Sequence, residues 1–227
     1  MLWSSHERAI RPKQLRKEDD ALEMQTTFDR RALVAAFERI GRAAMGEDTR
    51  LEIAVYGGSA LMLVSNFRYA TEDVDIQEIG ARWPDWLTKV ATAIASENGW
   101  SETWMNDAVT VYLSARASRA ADHIEFGTFP SDSDGRGLAV LVPTAEYMLA
   151  LKLKAMRVME PLKGRQEADD IYNLMRVLKI SSPEQAIATM AKFFPTRAAG
   201  GEKQRFLLKH LRPSKEAMSN DAPTYGR

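Results

Sequence analysis

The chain has 227 residues, 45% of them hydrophobic and 27% charged, and no cysteine. That length can bury a sizeable core, and the missing cysteines exclude disulfides, thiolate metal sites and thiol nucleophiles. Lys plus Arg equals Asp plus Glu at 31 each, so no global basic field marks a nucleic-acid binder.

The charge is unevenly placed, however. Residues 1–17 carry net +4 and residues 192–215 net +6, leaving 18–191 at −9 and 216–227 at −1. Such basic ends are either solvated surface or a hold on an anionic partner. Apolar stretches are broken by charge well short of a membrane span, and no apolar signal region follows the basic start, so a cytoplasmic chain without membrane contact is expected.

Residues 28–45 place apolar side chains at helical spacing and are followed by Gly46-Glu47-Asp48, which predicts a helix ahead of the β-rich run 51–56. Gly57 and Gly58 break that strand, 59–64 is an apolar helical piece, and 73–79 predicts a second strand. Residues 83–100 predict an amphipathic helix with Pro84 in its first turn. Residues 108–115 and 122–129 predict two further strands, with 138–142 a fifth candidate. From residue 144 onward every periodic segment is helical, over 144–159, 164–178, 183–194 and near 203–210. The expected fold class is α/β: a mixed β-sheet with flanking helices, then a C-terminal helical domain. The expected organisation is a basic arm over 1–27, an α/β core over 28–142, a helical domain over 143–213 and a disordered tail over 214–227.

The stretch AVYGGSALMLVSNFRYATEDVDIQ, residues 54–77, carries the most chemistry. A strand that ends in Gly-Gly-Ser and turns into a helix leaves backbone N–H groups pointing outward with no Cβ in the way, which suits a phosphate chain. Asp73 and Asp75 are spaced to share one face of the next strand, with Val74 turned to the core. Two such carboxylates repel unless a divalent cation sits between them, and Mg2+ (or Mn2+) is the hard ion that oxygen ligands and phosphates favour. The plainer alternative is a glycine-rich turn beside a solvated acidic strand end.

Gly58-Ser59, thirteen residues, then Asp73-Val74-Asp75 resembles the signature of the DNA polymerase beta nucleotidyltransferase superfamily. The resemblance implies a nucleotidyltransferase-like sheet and a third carboxylate from a later strand. Glu125, between Ile124 and Phe126, matches that position better than Asp122 on the opposite face, although many relatives carry aspartate there. His123 beside it reads as a structural histidine, since magnesium seldom takes imidazole.

Three later segments, residues 104–113, 147–157 and 165–175, look like the stand-alone prokaryotic nucleotidyltransferases grouped with abortive-infection (AbiE type) toxins. The matching positions are Leu149, Ala150, Lys152, Leu153, Ala155 and Arg157, then Glu167, Asp170 and Ile171. Glu167 replaces an aspartate and Gln166 a lysine of that pattern. The resemblance covers about 51–178 and implies a metal-dependent transfer of a nucleoside monophosphate from an NTP to an acceptor. In it Asp73, Asp75 and Glu125 hold metal, Gly58 and Ser59 grip phosphate, and Lys152, Arg157, Glu167 and Asp170 belong to the NTP site.

Independently of resemblance, a lone Lys152 on an apolar helix face needs an anionic partner, either a triphosphate or Glu167 or Asp170. Lys154 is expected to be solvated, and Trp83, Trp86 and Trp104 are either core or base pocket. The family further implies an RNA acceptor, a tRNA 3′ end, a toxin-like role and a cognate antitoxin. The alternatives are a small-molecule (antibiotic) or protein nucleotidylyltransferase, and a non-catalytic, antitoxin-like nucleotide binder.

Overall fold

The computed structural model describes residues 27–79, 83–132, 136–161 and 163–226. The expected basic arm, with Arg8, Arg11, Lys13, Arg16 and Lys17, lies outside the described residues except for residue 27. Asp29 closes a short strand, β1 (Phe28–Asp29), and caps α1 (Arg30–Gly46), its carboxylate accepting from Ala32 N at 2.8 Å. The periodicity predicted for α1 becomes a buried stripe of Leu33, Ala36, Phe37, Ile40, Gly41 and Ala44. A Cβ on Gly41 would meet Phe129 O at 2.0 Å, so the helix lies directly on the sheet.

The chain continues through β2 (Arg50–Tyr56), α2 (Gly57–Val64), β3 (Ala70–Thr71) and β4 (Val74–Glu78). Then come α3 (Asp85–Asn98), with Pro84 just outside its first turn, and β5 (Met105–Asn106). A 3₁₀ turn (Ala108–Tyr112), α4 (Arg119–Asp122), β6 (His123–Phe129) and β7 (Gly137–Pro143) follow. β1 pairs with β3, and the main sheet has the order β5-β4-β2-β7-β6. β2 is antiparallel to β4 and parallel to β7, β4 is parallel to β5, and β6 is antiparallel to β7. β7 is buried along its whole length between β2 and β6, which is why its sequence is an unbroken apolar run.

The strand expected over 108–115 is absent. Asn106 Oδ1 accepts from Ala108 N at 3.0 Å and Thr110 N donates to Asp107 O at 3.0 Å, so a local side-chain turn takes the backbone out of the sheet. The β-rich alternation Ala-Val-Thr-Val-Tyr gave no sign of that competition.

The helical part comprises α5 (Ala145–Ala155), α6 (Gly164–Val177), α7 (Pro183–Phe193), α8 (Pro195–Ala199), α9 (Glu202–Lys209) and α10 (Lys215–Ser219). α5 packs on β7, α6 and α7, and one buried cluster runs from Phe28 in β1 to Leu208 in α9. The described residues thus form a mixed α/β structure of a five-stranded mixed sheet and ten α-helices. Among them no helix is long and apolar enough to cross a membrane.

The disordered tail expected over 214–227 is corrected for the described residues 214–226. Ser214 caps α10, Thr224 N donates to Asn66 Oδ1 at 2.9 Å, and Tyr225 bridges Ser65 while its hydroxyl donates to Pro143 O at 2.7 Å. Those anchors are single residues with no periodicity, so a sequence pattern cannot display them.

Candidate active site

At the end of β2 the chain turns through Gly57, whose φ of 65° lies in the left-handed region that glycine enters without steric cost. A Cβ on Gly57 would lie 2.8 Å from Asp75 Oδ2, so this bare corner is what the Asp75 carboxylate leans on. The β2–β4 register sets Asp75 opposite Tyr56 and aims it there. Asp73 stands one residue before β4, where Thr71 Oγ1 donates to its carbonyl at 3.1 Å and to its Oδ1 at 3.4 Å. Val74 between them is fully buried, as the alternation required. Burial first, and then the negative charge of Asp73, push Asp75 above the usual carboxylate range against the pull of Arg157, Lys152 and Lys163.

Gly58 and Ser59, expected to hold phosphate, do not line the cavity that Gly57 and Asp75 line. A Cβ on Gly58 would meet Arg68 Nη2 at 2.7 Å and Thr71 Oγ1 at 3.2 Å, and Ser59 is buried with its hydroxyl donating to Tyr56 O at 2.9 Å. Position 57, not the Gly-Ser pair, meets the carboxylate.

Lys152 of α5 is buried and donates to Glu167 Oε2 at 2.7 Å and Asp170 Oδ2 at 2.9 Å, both on α6. Arg68, from the segment after α2, donates to the same Asp170 oxygen at 3.3 Å. Burial works against the charge of Lys152, but Asp170 and Glu167 more than offset it and leave the lysine above its ordinary pKa. The second oxygen of Glu167, Oε1, is buried with no hydrogen-bond partner among the described residues. Arg157, beyond the end of α5, is exposed, and Asp75 feels its charge.

A cavity of about 450 Å³ brings these pieces together. Gly57, Asp75, Lys152, Arg157 and Glu167 line it, and so do Val109 and Tyr112 of the 3₁₀ turn and Met148 and Leu151 of α5. Asp73 and Asp170 back this lining without belonging to it.

Glu125 is not part of the site. It is exposed on β6, separated from β4 by β2 and β7, and shares a different hollow with Arg30 and Phe126. The acidic residue in an apolar strand matched the pattern, but strand order decides which residues converge, and that order places β6 at the far edge. Asp122 is occupied locally, its Oδ2 accepting from Ser118 N at 2.7 Å. The residue beside Asp75 on β5 is Asn106, whose side chain caps the 3₁₀ turn.

His123 is structural. Its Nδ1 faces Ser118 O at 3.1 Å and its Nε2 faces the Tyr56 hydroxyl at 2.9 Å, a pairing that suits a neutral ring with Nδ1 donating, and burial lowers its pKa. Trp104 is core, fully buried with Nε1 donating to Ala91 O at 3.0 Å, and neither Trp83 nor Trp86 lines the cavity.

Among the described residues no three carboxylates or histidines converge on one point. Magnesium is commonly held by one or two carboxylates together with substrate phosphates, and Asp75 against Gly57, with Asp73 two residues before it, offers a donor set of that kind. No protein-family model, curated protein or solved structure matches this chain.

Proposed function

We propose that this chain is a metal-dependent nucleotidyltransferase that moves a nucleoside monophosphate from an NTP to an RNA 3′ end, with pyrophosphate leaving. The observation that carries the reading is the single cavity in which Asp75 against Gly57 faces Lys152, Arg157 and Glu167. An acidic corner opposite cations is what a metal-bearing triphosphate requires. Magnesium held by Asp73 and Asp75 would neutralise charge building on the α-phosphate and the departing pyrophosphate.

The residues of the chain divide the remaining work. Arg157 is exposed at the wall of the cavity, where its fork of donors suits phosphate oxygens. Lys152 is paired with Glu167 and Asp170, so it holds α5 against α6 at the cavity wall and leaves the phosphates to Arg157. Gly57 lets the phosphate chain approach the backbone closely. Glu125 has no part in this account.

The acceptor rests on charge and on the family resemblance, which also suggests tRNA, a toxin-like role and an antitoxin partner. Lys154 lines the cavity, and its pKa is lowered by burial and then by the nearby Arg197. Lys203 and Lys209 on α9 are exposed. Lys154 and Arg157 at the cavity suit a phosphate backbone more than a cationic drug.

The test is incubation of the purified chain with Mg2+, each of the four α-labelled NTPs and total RNA plus protein extract. Label in RNA of tRNA size, with pyrophosphate released, is expected. Label in protein instead would move the acceptor to the protein-modifying alternative, and no transfer with any NTP contradicts the reading.

A further inference from the structure

We propose that Tyr112 is the nucleobase platform of this cavity, so that the 3₁₀ turn sets how tightly a nucleotide binds beyond its phosphates. This deepens the nucleotide reading above and rests on it. The three tryptophans that composition offers for a base pocket are elsewhere, whereas Tyr112 lines the cavity and is 57% exposed. An aromatic ring left that open beside a charged cavity contributes little to the core, and its π-face is the feature every nucleobase can stack on.

The surroundings of the ring favour the same ligand. Val109, Met148 and Leu151 give the cavity an apolar portion, while Asp75, Lys152, Arg157 and Glu167 give it a charged one. A ligand that fills both has a flat, weakly polar group joined to a polyanion, which describes a nucleoside triphosphate better than a free polyphosphate or a hydrocarbon.

The platform is also held rigid. Asn106 Oδ1 fixes the start of the turn at Ala108 N, and beyond its end Ser114 N donates to the Tyr147 hydroxyl at 2.9 Å while Ser114 Oγ donates to Phe193 O at 2.7 Å. Lys154 Nζ donates to Tyr112 O at 2.6 Å and stands 4.5 Å from the centre of the Phe194 ring, so the end of the turn is pinned to α5 and to the residue after α7. A platform whose backbone is tied on three sides loses little freedom when a base lands on it.

Calorimetric titration of the parent, Tyr112→Ala and Tyr112→Phe with Mg2+ and each of the four ribonucleoside triphosphates, and separately with inorganic tripolyphosphate, tests the assignment. Removing a base–aromatic stack should weaken the tightest-binding nucleotide by roughly tenfold in Tyr112→Ala. Tripolyphosphate should stay within about twofold, because stacking does not touch it, and Tyr112→Phe should bind like the parent. Equal losses for nucleotide and tripolyphosphate, or unchanged nucleotide binding in Tyr112→Ala, overturn the platform and leave the phosphate site standing. A parent that binds neither probe overturns the nucleotide reading along with it.

Discussion

The Asp73–Asp75 corner holds two carboxylates of like charge, whereas the Lys152–Glu167–Asp170–Arg68 cluster sets two cations against two carboxylates. In the cluster two cations meet two carboxylates in hydrogen-bonding contact. In the corner two carboxylates stand together, and burial with mutual repulsion raises the pKa of Asp75. Buried charges that are paired join elements, and removing one partner is costly. Unpaired like charges in a cavity weaken the fold unless something of opposite sign binds there. The cluster therefore ties α5, α6 and the segment after α2 together, and the corner is where a ligand has something to gain.

Breaking the cluster should have the largest effect. Lys152→Met leaves Glu167 and Asp170 buried with only Arg68 as counter-charge, and should cost about 3–5 kcal/mol in urea unfolding. A loss below about 1 kcal/mol would mean the cluster is not the tie described. The tail comes next: Tyr225→Ala removes a half-buried ring packed on the core and its bond to Pro143 O and should cost roughly 1–3 kcal/mol in the same measurement. No change in the midpoint would return the tail to the status of a loose end.

Smaller effects sharpen the corner. Gly57→Ala forces a side chain onto a φ of 65° and into Asp75, and should cost about 1–2 kcal/mol while displacing the carboxylate. Gly58→Ala has an ordinary backbone angle but pushes on Arg68, which Asp170 and Ala70 O hold in place, so it should disturb the cluster and leave Asp75 where it is; displacement of Asp75 by Gly58→Ala would show that the Gly-Ser pair, not Gly57, shapes the corner.

Asp75 and the structural His123 respond to acid with opposite signs. Asp75 has a raised pKa in the folded state, so its charge opposes folding at neutral pH and that penalty fades as the pH falls through the raised value. Asp75→Asn should therefore be slightly more stable than the parent at pH 7, with the gap closing toward acid. His123 has a lowered pKa, so the unfolded chain takes up the proton first and stability falls as the pH drops through about 6.5. His123→Asn should lose that acid-side decline. Melting curves between pH 5 and 8 separate the two signs.

Much of this arrangement is legible in the sequence. The periodicity of α1, the alternation of β4 and the apolar run of β7 each state their burial directly; Asp75 stands out by strand alternation and Lys152 by its place on an apolar helix face, whereas Arg157 and Glu167 enter the site through the family resemblance. The misses share a cause. Glu125 depends on strand order, which no local pattern encodes; the 3₁₀ turn depends on one asparagine side chain outcompeting a β-rich run; Arg68 lies in an irregular stretch and meets Asp170 across about a hundred residues of chain. Tyr112 was hidden behind the same misread strand, since as a strand residue it would be half buried.

The central claim, that the corner awaits a cation-bearing ligand while the cluster does not, is tested most directly by thermal shift with Mg2+ and each of the four ribonucleoside triphosphates on the parent and on Asp75→Asn. The parent should melt higher with metal and nucleotide together than with either alone, because a ligand that binds only the folded state raises its stability, and Asp75→Asn should lose that added shift. The same added shift in both proteins, or none in the parent with any nucleotide, would contradict the account.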